Sequence, residues 1–148
     1  MNFLDNHKHD KVAILLLAFL YTPLIAKNKK CSAGMTHKQV TDTVVSAINR
    51  NDIQAFRSCL AKDIQAQEPG RKFSGKAAVL SWARAEIFSL SGKLKVLQTN
   101  SAAGYEIRCG KFYTPSFSFK VKYVFRSHAG KLLRWDLYYW KSKSCKWN

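Results

Sequence analysis

A chain of 148 residues suits one domain, and its 47% apolar content excludes a disordered or fibrous polymer. With 25 basic and 9 acidic residues the formal charge is +16, a field that attracts polyanions such as nucleic acid, acidic glycan or anionic membrane. A basic surface that only keeps the protein soluble is the competing reading.

Residues Val12 to Ala26 form an apolar run with Lys8 and Lys11 before it and Lys27, Lys29 and Lys30 after it. About 15 residues is short for a spanning helix, which needs about 20. The run matches the apolar centre of a secretory signal, with Pro23 breaking the helix and Ala26 at the cleavage point. The adopted reading for residues 1–26 is a signal peptide or N-terminal membrane anchor. It gives an exported protein, periplasmic or secreted, or a membrane-anchored one if the segment is retained. A buried N-terminal helix is the third option. Residues 27–35 read as a basic linker.

All four cysteines (Cys31, Cys59, Cys109, Cys145) follow that segment, which fits an oxidising compartment. Four cysteines allow three connectivities, and no pair has CxxC spacing. Cys31 and Cys145 lie in the two terminal tails, and a bridge between them is the preferred pairing. Cys59 and Cys109 then form a second bridge or remain buried thiols.

In the body, Thr36 and Gln39 make a capping box, and Val40, Val44, Ala47 and Ile48 repeat at helical spacing to about Arg50. Asp52 caps a second helix with the stripe Ile53, Phe56, Cys59 and Leu60. Lys62 to Glu68 reads as a short strand and Pro69-Gly70 as a turn. Ser74 opens a third helix through Trp82 and Phe88, and Gly92 closes it. Strands follow at Leu94–Val96 and Tyr105–Cys109. The clearest alternation is Phe117, Phe119, Val121, Tyr123 and Phe125. A turn at His128-Ala129-Gly130 leads to a last strand on which Leu133, Trp135, Leu137 and Tyr139 face one way. Helices in front and meandering strands behind indicate an α+β domain over 36–140 with a basic tail at 141–148.

This order resembles the nuclear-transport-factor-2-like (NTF2-like, SnoaL-like) family. Ala47-Ile48-Asn49-Arg50-Asn51-Asp52 followed by a short helix through Phe56 and Leu60 is similar to its opening. Ala61-Lys62-Asp63-Ile64 resembles its "L-A-x-D-V" approach to the first strand. Glu68-Pro69-Gly70 with Phe73-Ser74-Gly75-Lys76 resembles its "D-P-x … F-x-G-x" link. Gly130 to Trp135 resembles its final hairpin. The resemblance covers about Thr36 to Trp140. It implies three helices packed on a curved, mainly antiparallel sheet that forms a cone with an apolar pocket, and a homodimer through the sheet. Members include isomerases, dehydratases, epoxide hydrolases and non-catalytic binders, so the fold does not decide the function.

An enzyme of this kind needs a desolvated acid or base in the cone. Asp63 and Asp136 are the catalytic candidates. Asp136 lies between Trp135 and Leu137 and serves as a base if its face lines the cone, or as a surface partner of Arg134 if it does not. Glu68 before Pro69 reads as a solvated turn carboxylate, and Glu106 as facing away from the apolar side. Members of the family carry an acidic residue where this chain has Trp140, a departure that weighs against a retained mechanism. His7, His9, His37 and His128 have no metal-ligand spacing, and there is no phosphate loop, dinucleotide fingerprint or nucleophile elbow. No cofactor and no metal are expected.

Trp82, Phe88, Phe117, Phe119, Tyr123, Trp135 and Tyr139 are the candidate pocket lining, with Phe125 among the same aromatics; plain core is the alternative. Lys120, Lys122 and Arg126 form a basic stripe opposite the aromatic face, extended by Lys141, Lys143 and Lys146 beside Trp147. Three functions follow. The preferred one is a non-catalytic module binding a small apolar or amphipathic ligand. The others are a cofactor-independent isomerase, dehydratase or hydrolase, and a polyanion binder.

Overall fold

The computed structural model describes residues 29–139 and Cys145. The segment 1–26 and Trp140, Lys141, Lys143, Lys146 and Trp147 lie outside the described residues. Helix α1 (His37–Asn49) opens with the capping box read above: Thr36 Oγ1 accepts from the Gln39 N–H at 3.2 Å, and Gln39 Oε1 accepts from the Thr36 N–H at 2.9 Å. Its stripe of Val40, Val44, Ala47 and Ile48 is fully buried. Asn51 takes a left-handed φ of 56°, which lets the chain reverse. Asp52 then caps α2 (Ile53–Cys59), accepting from the Ala55 N–H at 2.9 Å.

Strand β1 (Leu60–Glu68) follows α2 directly and pairs with β2 (Arg71–Ser74) across Pro69-Gly70. Ser74, read as opening the third helix, is thus the last residue of a strand. Gly75, at φ 87°, makes the turn, and its N–H donates to Ile64 O at 2.8 Å. Helix α3 (Lys76–Ala83) continues as a π-helical turn over Arg84–Phe88. Four long strands follow: β3 (Lys93–Ala102), β4 (Tyr105–Tyr113), β5 (Ser118–His128) and β6 (Lys131–Tyr139).

The sheet order is β2-β1-β6-β5-β4-β3, antiparallel except for β1 beside β6. One face wraps the helices and carries Phe112, Val121, Tyr123, Phe125 and Trp135, all buried. Bulges bend the sheet into that curve. One lies in β3 at Leu97, against Gly110, where a Cβ would meet Lys95 O at 2.2 Å. Another lies in β6 between Leu132 and Arg134. It corrects the sequence reading of the last strand, because the extra residue exchanges the faces. Leu132 is fully buried and Leu133 is exposed.

The preferred cysteine pairing is also corrected. Cys31 bonds Cys59, and Cys109 bonds Cys145. The Cys31 N–H donates to Ser58 Oγ at 3.0 Å, and Ser32 packs on Gly130, so the N-terminal segment lies against the end of α2 and the last hairpin. Cys109 points to the outer face of β4 and meets Cys145 there. Glu106 is a third correction. It faces the helices and is buried, receiving Arg108 Nη2 at 3.1 Å, while the same atom donates to Asp42 of α1 at 2.8 Å.

Candidate functional site

The open end of the cone lies between the π turn after α3 and the inner faces of β1, β5 and β6. A cavity of about 50 Å³ there is lined by Glu68, Trp82, Glu86, Tyr123, Phe119 and Tyr139, with Ile87, Phe112 and Leu137 behind them. Glu68 is the last residue of β1 and alternates inward with Ile64 and Ala66. The pleat therefore buries it to 5% exposure although the next two residues are a surface turn. Glu86 reaches the same place because the π turn inserts one extra residue per turn and rotates it.

Arg71 ties the two carboxylates. Its Nη1 and Nη2 donate to Glu86 Oε1 and Oε2 at 2.7 and 2.5 Å, a bidentate pair. Its Nη2 also contacts Glu68 Oε1. Its guanidinium carbon lies 5.5 Å from the Phe73 ring centre, and Phe73 stacks on Trp82 at 5.1 Å. The Arg71 side chain remains half exposed, so the clamp sits at the rim.

The two acids respond in opposite directions. Burial holds the Glu68 carboxyl above its ordinary value, with Glu86 adding to the rise and Arg71 and the Trp82 N–H opposing it. The Arg71 bonds hold Glu86 below its ordinary value. Burial also pushes the Tyr123 and Tyr139 hydroxyls up, so both stay protonated donors. Trp82 Nε1 is buried, and its N–H bears on both carboxylates.

Of the aromatic residues expected at the pocket, Trp82, Phe119, Tyr123 and Tyr139 line the cavity. Phe117 is a rim residue, 43% exposed and stacked on Phe119 at 5.8 Å. Phe88 and Trp135 instead pack on Phe56 in the core at 5.3 and 5.8 Å, and Phe125 packs on Trp135. The two aspartates do not reach the cone. Asp63 is exposed, and Asp136 lies on the outer face, where Arg134 Nε donates to both its oxygens at 3.0 and 2.8 Å. Lys120, Lys122 and Arg126 stand on that outer face. Among the described residues no group of His, Cys, Asp and Glu is placed to hold a metal, and no helix is long and apolar enough to cross a membrane. Two disulfides are compatible with export.

Sequence alone draws no match from any family model or curated protein. Solved structures do match. They include an NTF2-like protein of unknown function from Cytophaga hutchinsonii (10% identity, 71% of this chain and 90% of that one, TM-score 0.63). A candidate polyketide cyclase from Sinorhizobium meliloti matches at 20% identity over 66% of this chain and 92% of its own, TM-score 0.61. A candidate ketosteroid isomerase from Kribbella flavida matches at 12% identity over 74% and 81%, TM-score 0.62. The chain has the NTF2-like fold. NTF2-like proteins of such different descriptions share the cone, so the residues inside it must carry the functional argument.

Proposed function

We propose that this NTF2-like protein is a ligand-binding module whose cone takes a narrow amphipathic molecule, with a basic end on Glu68 and Glu86 and an apolar tail among Phe112, Phe119 and Tyr139. The observation that carries this reading is two inward carboxylates sharing one guanidinium at the mouth of an aromatic cavity. Aromatic walls with carboxylates attract an organic cation and repel an anion. A volume of about 50 Å³ holds a few waters and falls well short of ordinary ligand pockets, which run to several hundred Å³. A bound molecule must therefore be slim and must displace the rim, and Arg71, Phe117 and Tyr139 are the exposed groups that can move.

The test is calorimetric titration with octylamine, octanol and octanoate. The amine binds the wild type and binds E68Q/E86Q at least tenfold more weakly. Equal binding of all three probes, or none, overturns the reading.

One observation favours a second reading. A buried carboxyl that holds its proton more tightly than an ordinary glutamate is suited to general acid–base work. The protein would then be a small cofactor-independent isomerase or hydrolase acting through Glu68. Glu68→Gln separates the two, since it abolishes turnover of any substrate that the wild type converts.

A further inference from the structure

We propose that the β2–β1–β6 edge of the sheet binds a small hydroxycarboxylic acid on its outer face, in a polar cleft separate from the cone. The pleat of β1 turns Ile64, Ala66 and Glu68 inward, so Gln65 and Gln67 stand outward between them. Register then sets Lys72, Gln67 and Asp136 in one row across β2, β1 and β6, and Ser74, Gln65 and Arg134 in the next. A cleft of about 150 Å³ lies there, lined by Gln65, Ala66, Gln67, Lys72, Arg134 and Asp136. At ~30 Å³ of liquid per water this is the space of about five waters, which suits a molecule of about three carbons. Cys109, where Cys145 is bonded, lies on β4, two strands beyond β6.

The lining is left with a complementary set of free donors and acceptors. Asp136 is only 8% exposed, yet the one described donor to its two oxygens is Arg134 Nε. An ionised carboxylate offers about four lone-pair sites, so Asp136 retains room for a further donor. Arg134 spends only Nε on that pair. No described residue accepts from its Nη atoms, and its side chain is 46% exposed. Lys72 has no ion pair among the described residues. Gln67 is half-buried with no described side-chain partner, whereas Gln65 Oε1 already accepts from Ser74 Oγ at 2.7 Å. A surface ion pair kept for stability contributes little and requires neither the burial of Asp136 nor a lysine across the cleft. A ligand carboxylate matches Lys72 and the two Nη donors of Arg134, and a neighbouring ligand hydroxyl donates to Asp136. An inorganic anion would leave Asp136 without that donor and face its charge. A plain polyol would leave both cations unpaired. An ammonium in place of the hydroxyl would stand against Arg134.

A ¹H–¹⁵N NMR titration of the Gln67 side-chain amide tests the proposal, with the resonance assigned through Gln67→Ala. The probe is glycerate, and propanoate and glycerol are comparators that lack the hydroxyls and the carboxylate respectively. Glycerate should shift the Gln67 signal saturably and leave the Trp82 indole in the cone unmoved. Propanoate and glycerol should bind at least tenfold more weakly. Lys72→Gln removes an exposed side chain and should weaken glycerate at least tenfold. Arg84→Gln removes the same charge from the helical side and should change its affinity less than about twofold. Asp136→Asn should bring glycerate down to the level of propanoate. The proposal is overturned if glycerate produces no saturable shift at Gln67, or if propanoate or glycerol binds as tightly as glycerate. Equal losses in Lys72→Gln and Arg84→Gln overturn it as well, because the response would then report overall charge rather than the cleft.

Discussion

At the scale of the residue, Glu68 stands where burial opposes ion pairing, and burial wins. The folded protein therefore keeps the Glu68 proton at pH values where the unfolded chain, at its ordinary value of 4.5, has lost it. Stability falls as pH rises through that window, because the folded state binds more protons there than the unfolded one. Glu68→Gln keeps the neutral shape, so it should melt with the wild type at acid pH and a few degrees above it at pH 7. A Gln variant that melts lower than the wild type by the same margin at every pH contradicts this. The sequence pointed away from Glu68, because Pro69-Gly70 signals a surface turn. The strand pleat decides which side of the turn its carboxylate enters. Asp136 fared the other way. Alternation showed that it faced opposite Trp135, but only the packing of β5 and β6 on the helices tells which face lines the cone.

At the scale of the element, periodicity made the helix stripes, the turn at 128–130 and the alternation of β5 legible. Three irregularities were hidden, and each changes the site. The bulge at Leu133 exchanges faces within one strand, and the π turn brings in Glu86. The two-strand hairpin β1–β2 supplies Arg71. Neither the bulge nor the π turn has a local composition signal, since each is selected by how the sheet curves around α1, and Pro69-Gly70 signalled the turn but not the strand after it. The disulfides were equally out of reach, because connectivity depends on which elements meet. Their sequence separations are 28 and 36 residues, so each bridge contributes about 3–4 kcal/mol by chain entropy. C31S/C59S and C109S/C145S should each lose stability of that order in urea unfolding, and a loss below about 1 kcal/mol in either contradicts the estimate. C109S/C145S should also retain amine binding, because Cys109 faces away from the cone.

At the scale of the whole molecule, the sheet separates two chemistries. Its inner face closes a small acidic, aromatic cavity within a chain of net charge +16, and its outer face displays rows of cations. The overall field is screened beyond about 8 Å at physiological salt, so in the proposed function the carboxylate pair governs what enters the cone. Charge counting registered the outer face and missed the inner one, because the buried Glu68 and half-buried Glu86 vanish in a total dominated by 25 basic residues. In the proposed function the cone mouth receives a basic ligand between Glu68 and Glu86. The most direct measurement is a ¹H–¹⁵N NMR titration of the Trp82 indole N–H with octylamine, with the resonance assigned through Trp82→Phe. The Trp82 signal should shift saturably with the amine, remain still with octanoate and lose its response in E68Q/E86Q. A Trp82 resonance that is unmoved by the amine, or that moves as much with octanoate, contradicts the account.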